Sequence, residues 1–154
     1  MAAFRHIKYS DVERRLAAQA RAIANVRNVL YHGTRYTRSI LDCGVLFRAH
    51  IGEEKVCLTR NAEVAAYWAM LRRDDDEGRG SILIFDRRSL ERRHKIRANP
   101  EPYWLTKTTF HDEAEEEIWD DVVNVRKYLI DLILGPENGR LPERQRTPME
   151  RSAK

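Results

Sequence analysis

Val29-Leu30-Tyr31-His32-Gly33-Thr34 is the stretch whose reading decides the fold. Four residues of strand-forming character lead into a glycine, which predicts a short strand over 29–32 that stops at Gly33. Upstream, Ser10 and Glu13 have the spacing of a capping box, so a helix is expected over about 11–27. Val12, Leu16, Ala20 and Ile23 recur on one face of it and leave the arginines largely elsewhere. Downstream, a second helix is expected over 38–42, closed by Gly44 in a left-handed cap. A strand follows over 55–59. From Asn61 the period changes, with Val64, Trp68 and Leu71 at helical spacing up to Arg72-Arg73. Residues 74–80 hold nothing apolar and read as an exposed loop, and 81–85 (Ser-Ile-Leu-Ile-Phe) read as a buried central strand. Pro100 and Pro102 argue for an ordered loop over 98–111. Val122, Val123 and Val125 form a further strand candidate, followed by apolar residues at 128–134.

The chain of 154 residues is long enough for one core and too short for two, so residues 1–134 are read as a single domain. From Gly135 onward three prolines and almost no apolar residue predict a disordered tail, 135–154. The whole reads as α+β, several short strands with two or three helices. Net charge is +4, but its distribution matters more than its sum. Residues 1–38 carry eight cations against Asp11 and Glu13, whereas 112–121 carry seven carboxylates and no base. A basic front of this kind suits a polyanion, or is simply a solvated helix face. Cys43 and Cys57 are the only cysteines, and no signal peptide precedes them, so a reduced cytoplasmic setting is expected. No apolar run is long enough for a bilayer, so no membrane partner is expected. No metal-ligand spacing and no glycine-rich phosphate loop is present, and no metal is expected.

Four pieces stand in a definite order: Leu30-Tyr31-His32-Gly33-Thr34; Cys57-Leu58-Thr59-Arg60-Asn61; Ala65-Ala66-Tyr67-Trp68-Ala69; and Asp112-Glu113-Ala114-Glu115-Glu116-Glu117-Ile118, after the 81–86 strand. This order resembles the ADP-ribosyltransferase superfamily, in the branch with a His–Tyr–Glu style signature. The likeness is to its short phage and bacterial toxin-like members. It covers about residues 29–134, leaving the first helix and the tail outside. The resemblance implies a split mixed or antiparallel sheet with a few flanking helices, and NAD as the substrate that donates ADP-ribose. The acceptor is a macromolecule, with nucleic acid (DNA or RNA) favoured over protein because of the basic N-terminal segment. A toxin or anti-phage role goes with such members.

NAD carries its own leaving group, because its nicotinamide is already cationic. Cleavage of the glycosidic bond therefore asks for stabilisation of an oxocarbenium-like ribose, which one well-placed carboxylate supplies. The resemblance gives His32 the NAD ribose or phosphates, Gly33 a backbone clasp on the nicotinamide carboxamide, and Thr34 a nearby hydroxyl. Tyr67 stands where the family offers an aromatic face to nicotinamide. Tyr67 and Trp68 point about 100° apart on a helix. Val64 and Leu71 share the Trp68 face, so Trp68 is assigned to the core and Tyr67 to the ligand. Thr59 and Arg60 end a strand before that helix, where Arg60 grips the NAD diphosphate or the acceptor, or makes a surface ion pair. For the carboxylate, Glu113, Glu115, Glu116 and Glu117 all stand in the right region. Glu115 ranks first, Glu117 second and Glu116 third, and some of the strip is expected to be a solvated acidic surface. Two other readings stay open: an NAD-dependent RNA 2′-phosphotransferase, whose full set of Arg and His residues is missing, and a non-catalytic NAD- or nucleic-acid-binding module.

Overall fold

The computed structural model describes residues 5–49, 54–73, 76, 78–99, 108–109 and 114–141. In chain order the elements are β1 (Arg5–His6), α1 (Asp11–Ala24), β2 (Val29–Thr34), α2 (Thr37–Cys43), β3 (Val45–Leu46), β4 (Val56–Thr59), α3 (Ala62–Met70) and β5 (Ser81–Asp86). They continue with α4 (Arg87–Glu91), β6 (Ile96–Ala98), β7 (Thr108–Thr109), β8 (Glu115–Ile118), β9 (Val122–Val123), α5 (Val125–Tyr128) and β10 (Leu129–Leu134). The chain is thus mixed α and β, with five helices among the described residues rather than the two or three expected. The main sheet has six strands in the order β10-β5-β2-β4-β8-β6, every neighbour antiparallel. The pairs β1–β7 and β3–β9 stand apart from it.

Local chemistry explains most boundaries. Ser10 accepts from the Glu13 backbone N–H and Glu13 reaches back to the Ser10 N–H, completing the capping box of α1. The helix ends at Ala24, short of the expected Arg27, because Asn25 and Val26 both take positive φ. Gly44 closes α2 in the left-handed conformation, as expected. Asn61 caps α3 through the Glu63 N–H. Val125 belongs to α5 instead of a strand, because Asn124 adopts φ 54° and turns the chain after β9.

Strand β2 does not stop at Gly33 but runs on to Thr34, paired with β5 all the way from Val29↔Asp86 to Thr34↔Ser81. Gly33 is needed here for a packing reason. An added Cβ would lie 1.8 Å from the carbonyl oxygen of Ala65, and at Gly80 it would lie 1.7 Å from that of Ala69. The backbone of α3 rests directly on these two glycines. Its alanines Ala62, Ala65, Ala66 and Ala69 join Leu16, Ala17 and Ala20 of α1 over Tyr31, Ile82 and Ile84 on one face of the sheet. The other face buries Leu30, Leu83, Phe85, Leu58 and Ile118 under α2, α4 and α5. Both faces of β5 are therefore covered, as its unbroken apolar run required. Each such buried aliphatic or aromatic side chain contributes roughly 1.5–3 kcal/mol.

The first residues of the expected tail are bound to the body: the Gly135 N–H donates to the Gly80 carbonyl. Residues 135–141 are packed on the body. Arg140 donates through Nε and Nη2 to the two Glu13 carboxylate oxygens, each at 2.7 Å, and also to the Lys8 carbonyl. Its backbone pairs with Met70 and Arg72. Residues 142–154 and most of the 98–111 loop lie outside the described residues.

Candidate functional site

The two inner strands β2 and β4 are joined through a single residue pair, Tyr31 opposite Thr59. On either side the pairing is longer, β2 with β5 and β4 with β8. The six strands thus form two three-stranded halves held at one rung. Beside that rung a side chain spans the seam: His32 donates through Nδ1 to the Cys57 carbonyl oxygen at 2.9 Å. Burial lowers the pKa of the ring from its ordinary 6.5, the Cys57 carbonyl opposes this, and the positive charge of Arg73 adds to the lowering. A carbonyl oxygen only accepts, so Nδ1 carries the hydrogen. In the neutral ring Nε2 then keeps its lone pair.

Register carries the seam across β4 to the acidic strand. Thr59 opposes Glu115, Leu58 opposes Glu116 and Cys57 opposes Glu117. Since side chains alternate along a strand, Glu115 and Glu117 share the face of Cys57 and Thr59, while Glu116 lies on the opposite face with Leu58. His32 alternates with Tyr31 and belongs by register to the Leu58 face, so it meets the Glu115 side only at the seam.

The three glutamates are consequently in different situations. Glu116, 4% exposed, accepts from Nε and Nη2 of Arg87 at 3.0 and 2.7 Å and lies 2.9 Å from Nε of Arg60. Its carboxylate in turn raises the pKa of the Arg87 guanidinium. A carboxylate gripped by two cations on the core side is a brace between β8 and α4, with little capacity left for a ligand. Glu117 accepts from Lys55 Nζ at 2.8 Å. Glu115 accepts from the Asn99 side-chain amide, with Lys55 farther off at 4.0 Å. This stretch of the acidic strip is therefore not a solvated surface: Glu116 and Glu117 are buried, and cations and an amide make that burial tolerable. Glu113 lies outside the described residues. The Cys57 residue is exposed, yet the protein around its sulfur and the Glu115 carboxylate push the thiol pKa up, so it stays protonated at neutral pH.

The other expected site residues divide. Thr59 is buried and accepts from the Asn61 N–H, at the point where β4 passes into α3. Thr34 is buried, and its hydroxyl accepts from the Tyr36 N–H, so it holds a turn. Arg60 is exposed, with Nε on Glu116 on the face opposite Glu115. Tyr67 reverses its assignment. It is 2% exposed, packed with Ile7 and Val64 under the Arg140 guanidinium, whose carbon lies 5.0 Å from the ring centre. Trp68 is the more exposed of the two rings and carries Arg73 over its face at 5.8 Å. The helical pattern alone missed this because Ile7 and Arg140, distant in sequence, cover the Tyr67 side.

Sequence reasoning passed over Lys55, Asn99, Arg87 and Arg97. Lys55 stands two residues before Cys57, and strand alternation was a usable signal for it. Asn99 and Arg97 come to the site only through the pairing of β6 with β8, which sets Arg97 opposite Glu117.

No protein-family model, no curated protein and no solved structure matches this chain. Among the described residues no helix is long and apolar enough to cross a membrane, and no group of three or more His, Cys, Asp or Glu is placed to hold a metal ion.

Proposed function

We propose that the chain is an NAD-dependent mono-ADP-ribosyltransferase of the ADP-ribosyltransferase superfamily, modifying a macromolecule and nucleic acid before protein. The observation that carries this reading is the one-rung seam between β2 and β4, which His32 bridges to Cys57, with Glu115 and Glu117 on the Cys57–Thr59 face beyond it and reached from His32 only through that seam. Nε2 of His32 accepts from a ribose hydroxyl of NAD, and the backbone of Gly33 meets the nicotinamide carboxamide. Glu115 is the catalytic carboxylate. A neutral amide from Asn99 orients it without cancelling its charge, whereas Lys55 neutralises Glu117. As the bond from ribose C1′ to nicotinamide breaks, its electron pair leaves on the ring nitrogen. The positive charge that grows on the ribose is stabilised by Glu115. The acceptor nucleophile then bonds to C1′, and its proton passes to the same carboxylate.

Nicotinamide release from NAD tests this. Glu115→Gln is expected to lower the rate by about 10²-fold or more, and His32→Ala to weaken NAD binding. Glu116→Gln leaves Arg87 without its charged partner. It should lower stability by roughly 2 kcal/mol, the value of hydrogen bonds to a charged group, while the folded fraction retains turnover. Unchanged release in both Glu115→Gln and His32→Ala would overturn the site. Absence of NAD binding would overturn the family. Growth arrest on bacterial expression, relieved by Glu115→Gln, would support a toxin or anti-phage role.

A further inference from the structure

The basic N-terminal segment is less available to a polyanion than its composition implies. Arg14 pairs with Asp11, Arg21 with Glu63 at 2.6 Å, and Arg35 is buried against Asp76 at 2.9 Å. Among the described residues Lys8, Arg15, Arg27 and Arg38 of that segment make no ion pair, but they are spread along it, and a denser run of cations lies elsewhere. Residues 87–97 hold six Lys or Arg against Glu91 alone, and Arg126-Lys127 follow in α5. Arg87 is engaged by Glu116 and Glu91. Among the described residues Arg92, Arg93, Lys95, Arg97 and Lys127 make no ion pair, and all five are exposed.

These cations are arranged along a path. Arg92, Arg93 and Lys127, with Ser89 and Tyr128, line a cleft of about 260 Å³ where α4 meets α5. Lys95 lies between that cleft and β6. Arg97 of β6 stands directly opposite Glu117, on the Glu117 face of the sheet. Directly opposed residues bring their Cβ atoms to about 5 Å. A concave basic start and a cationic edge strand ending beside the proposed carboxylates suit a chain of regularly spaced negative charges.

We propose that the α4–α5 cleft and the β6 edge bind the phosphodiester backbone of a nucleic-acid acceptor and lead it to the Glu115–Glu117 face. The purpose assigned to this surface rests on the transferase reading, but the binding itself does not. The test is fluorescence anisotropy with short labelled single strands of DNA and RNA, without NAD, across a salt series. In Arg92→Ala/Arg93→Ala/Lys127→Ala, three exposed changes, affinity is expected to fall by about tenfold or more, and the slope of log K against log salt by about two. The α1 variant Arg14→Ala/Arg15→Ala/Arg21→Ala should bind as the parent does, and nicotinamide release without acceptor should be unchanged in both. Equal affinity in parent and cleft variant, or a loss confined to the α1 variant, would overturn the surface. Equal binding of polyglutamate would overturn the nucleic-acid assignment. Loss of nicotinamide release in the Glu115 and His32 variants is read separately, so either inference can fail without the other.

Discussion

His32 gives the clearest consequence at the scale of single residues. Its ring bridges the seam as a neutral donor to Cys57, and burial disfavours the imidazolium. The folded-state pKa is therefore below the ordinary 6.5, and the unfolded chain binds the proton first as pH falls. Stability from this residue is fully present above pH 6.5 and declines below it, until the folded ring itself protonates. Urea midpoints at pH 7.5 and pH 5 should show a smaller drop in His32→Gln than in the parent. An identical drop would remove His32 as the titrating group. The glutamates make a related point. Three consecutive carboxylates of the same type differ in role because register sends Glu116 to the cations of the core side and leaves Glu115 and Glu117 on the other face.

At the scale of elements, the contact of α3 with β2 and β5 places the end of β4 and the seam together. Gly33 and Gly80 permit the helix backbone to lie on the strands, and the alanines of α1 and α3 permit the helices to lie on each other. Gly33→Ala has no room for its methyl against Ala65, so α3 must shift. The expected loss is about 3 kcal/mol, the upper end of ordinary overpacking, measured by urea unfolding. A change under about 0.5 kcal/mol, the size usual for surface substitutions, would show that the helix does not sit this closely. Tyr67 belongs to the same scale. Its spacing on α3 is compatible with a cleft or a core, and the elements laid over it decide for the core.

Across the whole molecule, Arg140 draws the end of the described chain back over its beginning. Glu13 is 1% exposed, and its carboxylate is met by both Arg140 donors while the same guanidinium covers Tyr67. Breaking a buried pair by removing one partner leaves the other charge stranded, so Arg140→Ala is expected to cost about 3–5 kcal/mol. Denaturant midpoints of Arg140→Ala, Glu13→Gln and the double variant should show strong coupling; strictly additive losses would mean the pair contributes little. The sequence by itself determined the features that depend on neighbours along the chain. These are the Ser10–Glu13 capping box, the Gly44 stop, the Asn61 start of α3 and the fully buried strand at Ser81, all set by local backbone hydrogen bonding and hydrophobic period. It also brought His32, Thr59 and the glutamates into view as candidates. Tertiary structure alone decided which glutamates share a face of β8, why Gly33 must be glycine, that Tyr67 is covered, and that residues 135–141 are bound. Each of these depends on strand register or on a charge partner far away in sequence, such as Glu13 and Arg140, and no local pattern records such a pairing.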